Sequence, residues 1–114
     1  MARSLPFTAP ALLAPMEGIT EPCFRDLVLA RNPPHALGGT FTEFVRVVDH
    51  PVPRAVMRRH LGLAQPPRRA AVGAPSTEPP VGLQLMGSDL AAVEASAAHA
   101  ADVGVALLDL NFGC

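Results

Sequence analysis

Polar and reactive side chains follow a short apolar stretch at residues 105–110, where valine, alanine and three leucines surround one aspartate. Such a stretch is typical of a buried strand in a parallel sheet. Directly after it, residues 111–114 have the sequence NFGC and offer an amide, an aromatic ring, a glycine and a thiol. Parallel α/β proteins carry their chemistry where strands end. The sequence therefore predicts a functional site at residues 111–114.

Asn111 and Cys114 are the two residues of this segment with chemical potential. An ordinary thiol, with a pKa of about 8.5, is protonated at neutral pH and can donate a proton to a substrate. A cysteine at a strand end is also often a small buried hydrophobe, and an asparagine there often forms a turn through its side chain. Both interpretations stay open from the residues alone.

Three further strand ends carry polar groups. Pro15, Met16 and Glu17 follow the apolar run at residues 11–14. Arg46 follows a stretch rich in β-formers, and Gln84 is the polar side chain of the apolar stretch at residues 81–86. The ends of parallel strands meet at one rim, so these residues are expected to face the same site. Glu17 as a loop cap, Arg46 as a solvated residue and Gln84 as a satisfied core amide are the alternatives.

Helical patterns separate the four strand patterns. The first helix is expected to start at Thr20, as its cap, and to stop before residues 33–34. The second is expected to start at Pro53 and to end at Gly62, and the third to end at Gly104. The order β-α-β-α-β-α-β predicts right-handed parallel crossovers and an α/β fold. The proline-rich residues 65–80 are expected to form a loop.

This order predicts the N-terminal half, about four β/α units, of a TIM-type (β/α)8 barrel, because a whole barrel needs about 250 residues. The 114 residues are interpreted as an N-terminal fragment, 1–114, of a barrel domain, and the rest of the barrel is absent from this sequence. A half-barrel standing alone would leave an unpaired strand edge, which favours aggregation.

The composition excludes several classes of protein. Apolar residues make up 49%, charged residues 17%, and the net charge is −1, as in an ordinary folded domain. The apolar run near the N-terminus is too short for a membrane span or a signal peptide, so we expect no membrane contact and a cytoplasmic location. The two cysteines have no metal-ligand spacing, so no metal site is expected.

Side-chain burial in the helices follows from their apolar periodicity. In the first helix Phe24, Leu27 and Val28 are expected to face the core and Arg25 to face solvent. Cys23 is interpreted as a packing residue. In the third helix the expected core positions are Leu90, Val93, Ala97 and Ala100.

Four segments together resemble a known family. They are residues 13–18 (LAPMEG), 42–47 (TEFVRV), 84–87 (QLMG) and 109–114 (DLNFGC). In this order they resemble the tRNA-dihydrouridine synthases, and most of all the bacterial C-type branch, which shares the TEFVRV run. The likeness covers nearly the whole chain outside the proline-rich segment. Phe112 is a departure, since relatives often carry another residue there.

The resemblance implies an FMN-dependent barrel joined to a C-terminal helical RNA-binding domain, which reduces uridines of tRNA with NADPH and acts as a monomer. It implies that Pro15, Met16 and Glu17 line the flavin, largely through the backbone, and that Gln84 hydrogen-bonds the isoalloxazine ring.

For the substrate, the resemblance implies that Asn111 holds the target uracil, that Cys114 donates the proton and that Arg46 contacts the tRNA. Two other interpretations remain: another FMN-dependent barrel, similar to dihydroorotate dehydrogenase, or a catalytically inert fragment. The synthase resemblance predicts a proline directly after Cys114, and it places the flavin-phosphate loops outside this sequence. We therefore expect the 114 residues alone to bind FMN poorly and to be inactive.

Overall fold

A computed structural model describes residues 4–62 and 77–113. Within them, seven elements alternate along the chain. They are β1 (Leu12–Leu13), α1 (Pro22–Arg31), β2 (Gly39–Arg46), α2 (Arg54–Leu61), β3 (Val81–Met86), α3 (Leu90–Val103) and β4 (Leu107–Asn111). Most of the expected loop at residues 65–80, together with Cys114, lies outside the described residues.

The four strands form one sheet in the order β1-β2-β3-β4, and every neighbouring pair is parallel. Each strand therefore lies beside its successor in the chain, with a helix between them, which is the arrangement of half of a (β/α)8 barrel. The predicted fold class is confirmed. No helix in the described part of the chain is both long and apolar enough to cross a membrane.

One face of the sheet is covered by helices and forms the apolar core. Its centre consists of Met57 of α2 and of Leu83 and Leu85 of β3, which are at most 1% exposed. Alternate residues of a strand point to opposite faces, so Gln84 and Met86 of β3 face away from the helices. The rest of the core comes from β2, the β2–α2 loop and α3: Val45, Val47, Val52, Ala92, Ala100 and Val103.

Of the expected core positions of α3, Ala100 is buried and Val93 packs against the core, but the expectation for Leu90 was wrong. Leu90 is 83% exposed, whereas the buried positions are Ala92, Ser96, Ala100 and Val103. Ser96 is tolerated there because its hydroxyl donates to the carbonyl of Ala92 and accepts from the Val52 N–H. Small side chains thus let α3 lie close to the β2–α2 loop, which the apolar pattern alone did not reveal.

Three expectations for α1 were also wrong. Arg25 is buried and Leu27 is 50% exposed, the reverse of the predicted faces. Cys23 is exposed rather than packed. Thr20 does not cap the helix, since the residue at the cap position is Glu21, which makes no side-chain capping bond. The predicted helix ends at Gly62 and Gly104 are confirmed: both glycines have left-handed backbone and close α2 and α3.

The N-terminal segment covers the opposite face of the sheet at its amino end. The Thr8 N–H donates to the Gly38 carbonyl at 3.0 Å, and the Gly38 N–H donates to the Ala11 carbonyl at 2.7 Å. Above this, the rings of Phe7 and Phe41 meet edge to face, with centroids 6.1 Å apart. This end of the open face is therefore closed by aromatic packing.

Candidate functional site

The first loop, residues 14–21, is tied together by Thr20. The Thr20 hydroxyl accepts from the Met16 N–H at 3.0 Å and lies 3.1 Å from the Met16 carbonyl, to which it donates. The same carbonyl accepts from the N–H groups of Ile19 and Thr20. Met16 therefore has its backbone polar groups occupied within the loop, and the loop is held in one conformation.

Glu43 connects this loop to β2. Its carboxylate accepts from the N–H of Gly18, a residue with φ of 72°. The left-handed backbone favours glycine at this position. Glu43 lies where the pairing of β2 with β3 shifts register, between Phe41 and Phe44. Such an irregularity re-aims side chains, which explains how a strand residue reaches the neighbouring loop.

Arg25 also holds the first loop in place. Its guanidinium donates to the carbonyls of Thr20, at 2.6 Å, and of His60, at 2.7 Å. Burial lowers the pKa of Arg25, while the charges of Asp26 and Glu43 act in the opposite direction. Its Nε has no partner among the described residues. A buried guanidinium with two carbonyl partners thus links the first loop to the end of α2.

Across β3 and β4, three polar side chains form a line of hydrogen bonds. Gln84 and Asp109 are register partners, and the Gln84 Nε2 donates to the Asp109 Oδ2 at 2.6 Å. The Asn111 Nδ2 lies 3.4 Å from the Gln84 Oε1 as a donor, and the Asn111 Oδ1 accepts from the Gly113 N–H at 2.8 Å. The line leads from the middle of the sheet to the carboxyl end of β4.

A cleft of about 580 Å³ lies at this carboxyl end. Asn111 borders it from β4 and Arg46 from β2, where its guanidinium lies 5.6 Å from the centre of the Phe44 ring. Phe112 is 96% exposed at its margin. The remaining lining residues are Val47, Val48, Met86, Gly87, Ser88, Leu90 and Gly113. The cleft thus combines an amide, a guanidinium and apolar walls, as small-molecule sites do.

Comparison with known proteins identifies the family of the chain. The family model described as dihydrouridine synthase matches residues 12–114. The chain belongs to the dihydrouridine synthase family. A tRNA-dihydrouridine(16) synthase of Azotobacter vinelandii is 39% identical over 90% of this chain, and the match covers 30% of the relative. Proteins of the same name from Shewanella oneidensis and Haemophilus influenzae are each 36% identical over 90% of this chain.

The chain spans about 30% of the length of the curated relatives that it matches. The motifs that carried the resemblance lie inside the matched region, so the predicted dihydrouridine synthase family is confirmed. The roles of individual residues in this family member are not tested by the match and stay predictions.

The structure brings together only part of the predicted site. Gln84 and Asn111 are in hydrogen-bond contact, and Asn111 and Arg46 border the same cleft. Residues 15–17 lie after β1, two strands away from β3, with Glu17 exposed. Cys114 lies outside the described residues. Within the described ranges, no group of three or more His, Cys, Asp or Glu side chains is placed to hold a metal ion.

Two carboxylates of the site were not predicted from the sequence. Asp109 bonds directly to Gln84, and Glu43 bonds to the first loop. A signal for Asp109 was available, because it is the one charged residue in the apolar stretch 105–110. A charge at a half-buried strand position requires a partner. The signal for Glu43 was weaker, since its reach depends on the irregularity in β2.

Proposed function

We propose that the whole protein that carries this chain reduces a uridine of tRNA to 5,6-dihydrouridine, with FMN as cofactor and NADPH as reductant. The observation that carries the proposal is the Asn111 amide, anchored on both sides at the open cleft, in a chain of the dihydrouridine synthase family. An amide offers both a donor and an acceptor, which is what the adjacent carbonyl and N–H groups of uracil require.

The residues present suit a flavin at the carboxyl ends of the strands. The isoalloxazine ring carries carbonyl and N–H groups beside a large flat apolar surface, and Gln84, Met86 and Gly113 offer an amide, a thioether and open backbone. A Cβ built on Gly113 would meet nothing within 4 Å. Bound FMN supplies the hydride for the reduction.

The chain's own residues bind and orient in this proposal. Gln84 holds the flavin ring through its amide, and the first loop contributes the surfaces of Pro15, Met16 and Glu17. Because the backbone groups of Met16 already bond to residues 19 and 20, its contact with the flavin is van der Waals contact. This differs from the largely backbone role that the resemblance implied.

On the substrate side, Asn111 holds the uracil and Arg46 contacts a tRNA phosphate. Arg46 is exposed at the cleft margin, where a guanidinium can pair with a phosphate oxygen. Cys114, the next residue after Gly113, donates the proton to the uracil carbon next to the one that receives hydride. A C-terminal RNA-binding domain in the whole protein is part of the proposal, since the relatives are about three times as long as the matched region.

The relatives named above carry position 16 of tRNA in their printed names. We therefore propose uridine 16 as the target. Mapping dihydrouridine in tRNA from a deletion strain tests this: dihydrouridine should disappear at position 16 and return when the gene is restored. Loss at another position would overturn the choice of uridine, and loss at none would overturn the proposed function.

The role of Cys114 has its own test in the whole protein. Cys114→Ala removes the acid, so single-turnover reoxidation of the reduced flavin by tRNA should slow by about 10²–10⁴-fold. Flavin reduction by NADPH precedes proton transfer to uracil and should be unchanged. Cys114→Ser should be slow as well, because a hydroxyl is a much weaker acid than a thiol. Reoxidation of Cys114→Ala at the wild-type rate would show that another group is the acid.

A further inference from the structure

The hydrogen bonds from Asp109 to Gly113 have a direction. A carboxylate only accepts, and the Gln84 amide turns its nitrogen toward the Asp109 Oδ2. The Gln84 oxygen then faces Asn111 and takes a hydrogen bond from the Asn111 nitrogen. At the far end the Gly113 N–H only donates, and it meets the Asn111 oxygen.

The groups at the two ends of this line are a carboxylate, which accepts, and a backbone N–H, which donates. Both require the same orientation of the two amides between them. Amide nitrogen and oxygen have nearly the same size, so packing does not distinguish them and hydrogen bonds decide. Turning the Gln84 amide over would place oxygen against the Asp109 carboxylate, and would place nitrogen against the Asn111 nitrogen. Gln84 is 8% exposed, so water offers it little compensation.

We propose that Asp109 is a positioning residue that sets the orientation of the Gln84 and Asn111 amides, and through them the donor and acceptor pattern of the cleft. With Asp109 in place, Asn111 keeps one N–H and one oxygen lone pair available for a ligand, in a fixed order. The inference deepens the proposed function, on which the identity of the ligand rests; the orientation itself rests on the contacts of the free protein.

The decisive substitution is Asp109→Asn in the whole protein. It is nearly isosteric, but its amide both donates and accepts, so the demand that residue 109 places on Gln84 disappears. Glu94→Gln is the control, because it makes the same kind of change at an exposed position of α3, on the helical side of the sheet. Nitrogen-15 NMR of the side-chain amides, in protein free of flavin, reports each amide separately.

Exchange of the Gln84 side-chain amide protons should become at least about tenfold faster in Asp109→Asn, as expected for loss of a bond to a charged acceptor. The side-chain signals of Asn111 should shift too, although Asn111 does not bond to residue 109. Glu94→Gln should change neither amide. A change at Gln84 with Asn111 unaffected would overturn the proposal, as would unchanged signals at both.

A second variant covers the case in which Asp109→Asn fails to fold. Gln84→Met conserves volume while removing the middle amide. It should shift the Asn111 side-chain signals as well, and unchanged Asn111 signals in this variant would likewise overturn the proposal.

FMN titration is the second readout. Affinity should fall about tenfold in Asp109→Asn and stay unchanged in Glu94→Gln. Wild-type protein that binds no FMN would contradict the proposed function, while the NMR result would still decide the role of Asp109. Full FMN affinity in Asp109→Asn, beside faster Gln84 exchange, would overturn the claim that the orientation matters for the ligand.

Discussion

The two halves of the open sheet face have opposite character. The closed half, at the amino end, consists of Phe7 and Phe41 lying over Gly39 and Gly82. A Cβ built on Gly82 would lie 2.5 Å from the Phe41 ring, and one on Gly39 would lie 2.8 Å from the Phe7 ring. Aromatic rings thus occupy the space that two side chains would otherwise take.

The polar half, at the carboxyl end, is made of Gln84, Asp109, Asn111 and the cleft beside them. Here Gly113 has open space where a side chain would be. The comparison shows one strand, β3, serving both purposes: Gly82 admits a ring that stabilises the sheet, and Gln84, two residues later on the same face, offers an amide. Stability and chemistry are separated along the strand rather than between elements.

The largest expected effect belongs to the closed half. Phe41→Ala should lower the free energy of unfolding by about 3–5 kcal/mol, because the ring is 8% exposed and its removal leaves a cavity. Phe112→Ala is the matched control in the polar half. With a ring that is 96% exposed, it should stay within about 0.5 kcal/mol of wild type. Urea unfolding measures both, and equal effects would break the comparison.

Substitutions at two glycines test whether the closed half depends on the close approach of its backbone segments. Gly38→Ala should destabilise by about 3 kcal/mol or more, because its Cβ would lie 1.8 Å from the backbone oxygen of Ala9. Gly18→Ala meets nothing within 4 Å and has a φ of 72°. It should cost only about 1 kcal/mol, from the left-handed backbone. A Gly18 variant that is the less stable of the two in urea unfolding would contradict this assignment.

Gln84→Ala tests the polar half. If Gln84 holds the flavin as proposed, the change leaves a flavin polar group and the Asp109 carboxylate without their partner, so FMN retention in the whole protein should weaken by about 1–3 kcal/mol. Equilibrium dialysis of FMN gives the affinity. Asn32→Ala is the control, since it removes an exposed amide that bonds to the Val28 carbonyl in α1. Unchanged flavin affinity in Gln84→Ala would count against its predicted role.

The smallest expected effect is a change in how the stability of the fold depends on pH. Burial lowers the pKa of His60, with Glu43 acting in the opposite direction and Arg59 and Arg25 adding to the decrease. Above the ordinary histidine pKa of about 6.5, both folded and unfolded His60 are neutral. As the pH falls below it, the unfolded chain binds the proton first, so stability decreases.

His60→Asn should therefore lose less stability than wild type between about pH 7.5 and about pH 5.5, which lie on either side of the ordinary histidine pKa. Urea unfolding at the two pH values measures this. His50→Asn is the control of opposite sign, because its hydrogen bond to Asp49 raises the pKa of His50. An equally steep loss in His60→Asn would show that another group titrates.

The order of elements was predictable because each depends on near neighbours in the chain. Apolar runs marked the strands, and Gly62 and Gly104 ended α2 and α3 where a left-handed residue was expected. The parallel sheet followed from helices placed between strands. Asn111 and Gln84 were named as site residues from their places in strands, and they do lie in contact.

The failures share a cause: a partner distant in the sequence. Arg25 looked like a solvent-facing residue until the His60 carbonyl, 35 residues away, came within 2.7 Å. Ser96 was not among the expected core positions of α3, and its burial depends on the Val52 N–H, 44 residues away, which bonds to it. The role of Asp109 likewise depends on its hydrogen bond to Gln84 on the neighbouring strand.

The sequence by itself determined the strands, the helices between them and the types of group at the strand ends, because periodicity and chain order are local properties. The tertiary structure alone decided that Phe7 closes one half of the open face. It also decided that the Asp109 carboxylate orients the amides of the other half. The physical reason is that a buried polar or aromatic group is fixed by what it touches, and contacts between strands do not appear in the order of residues.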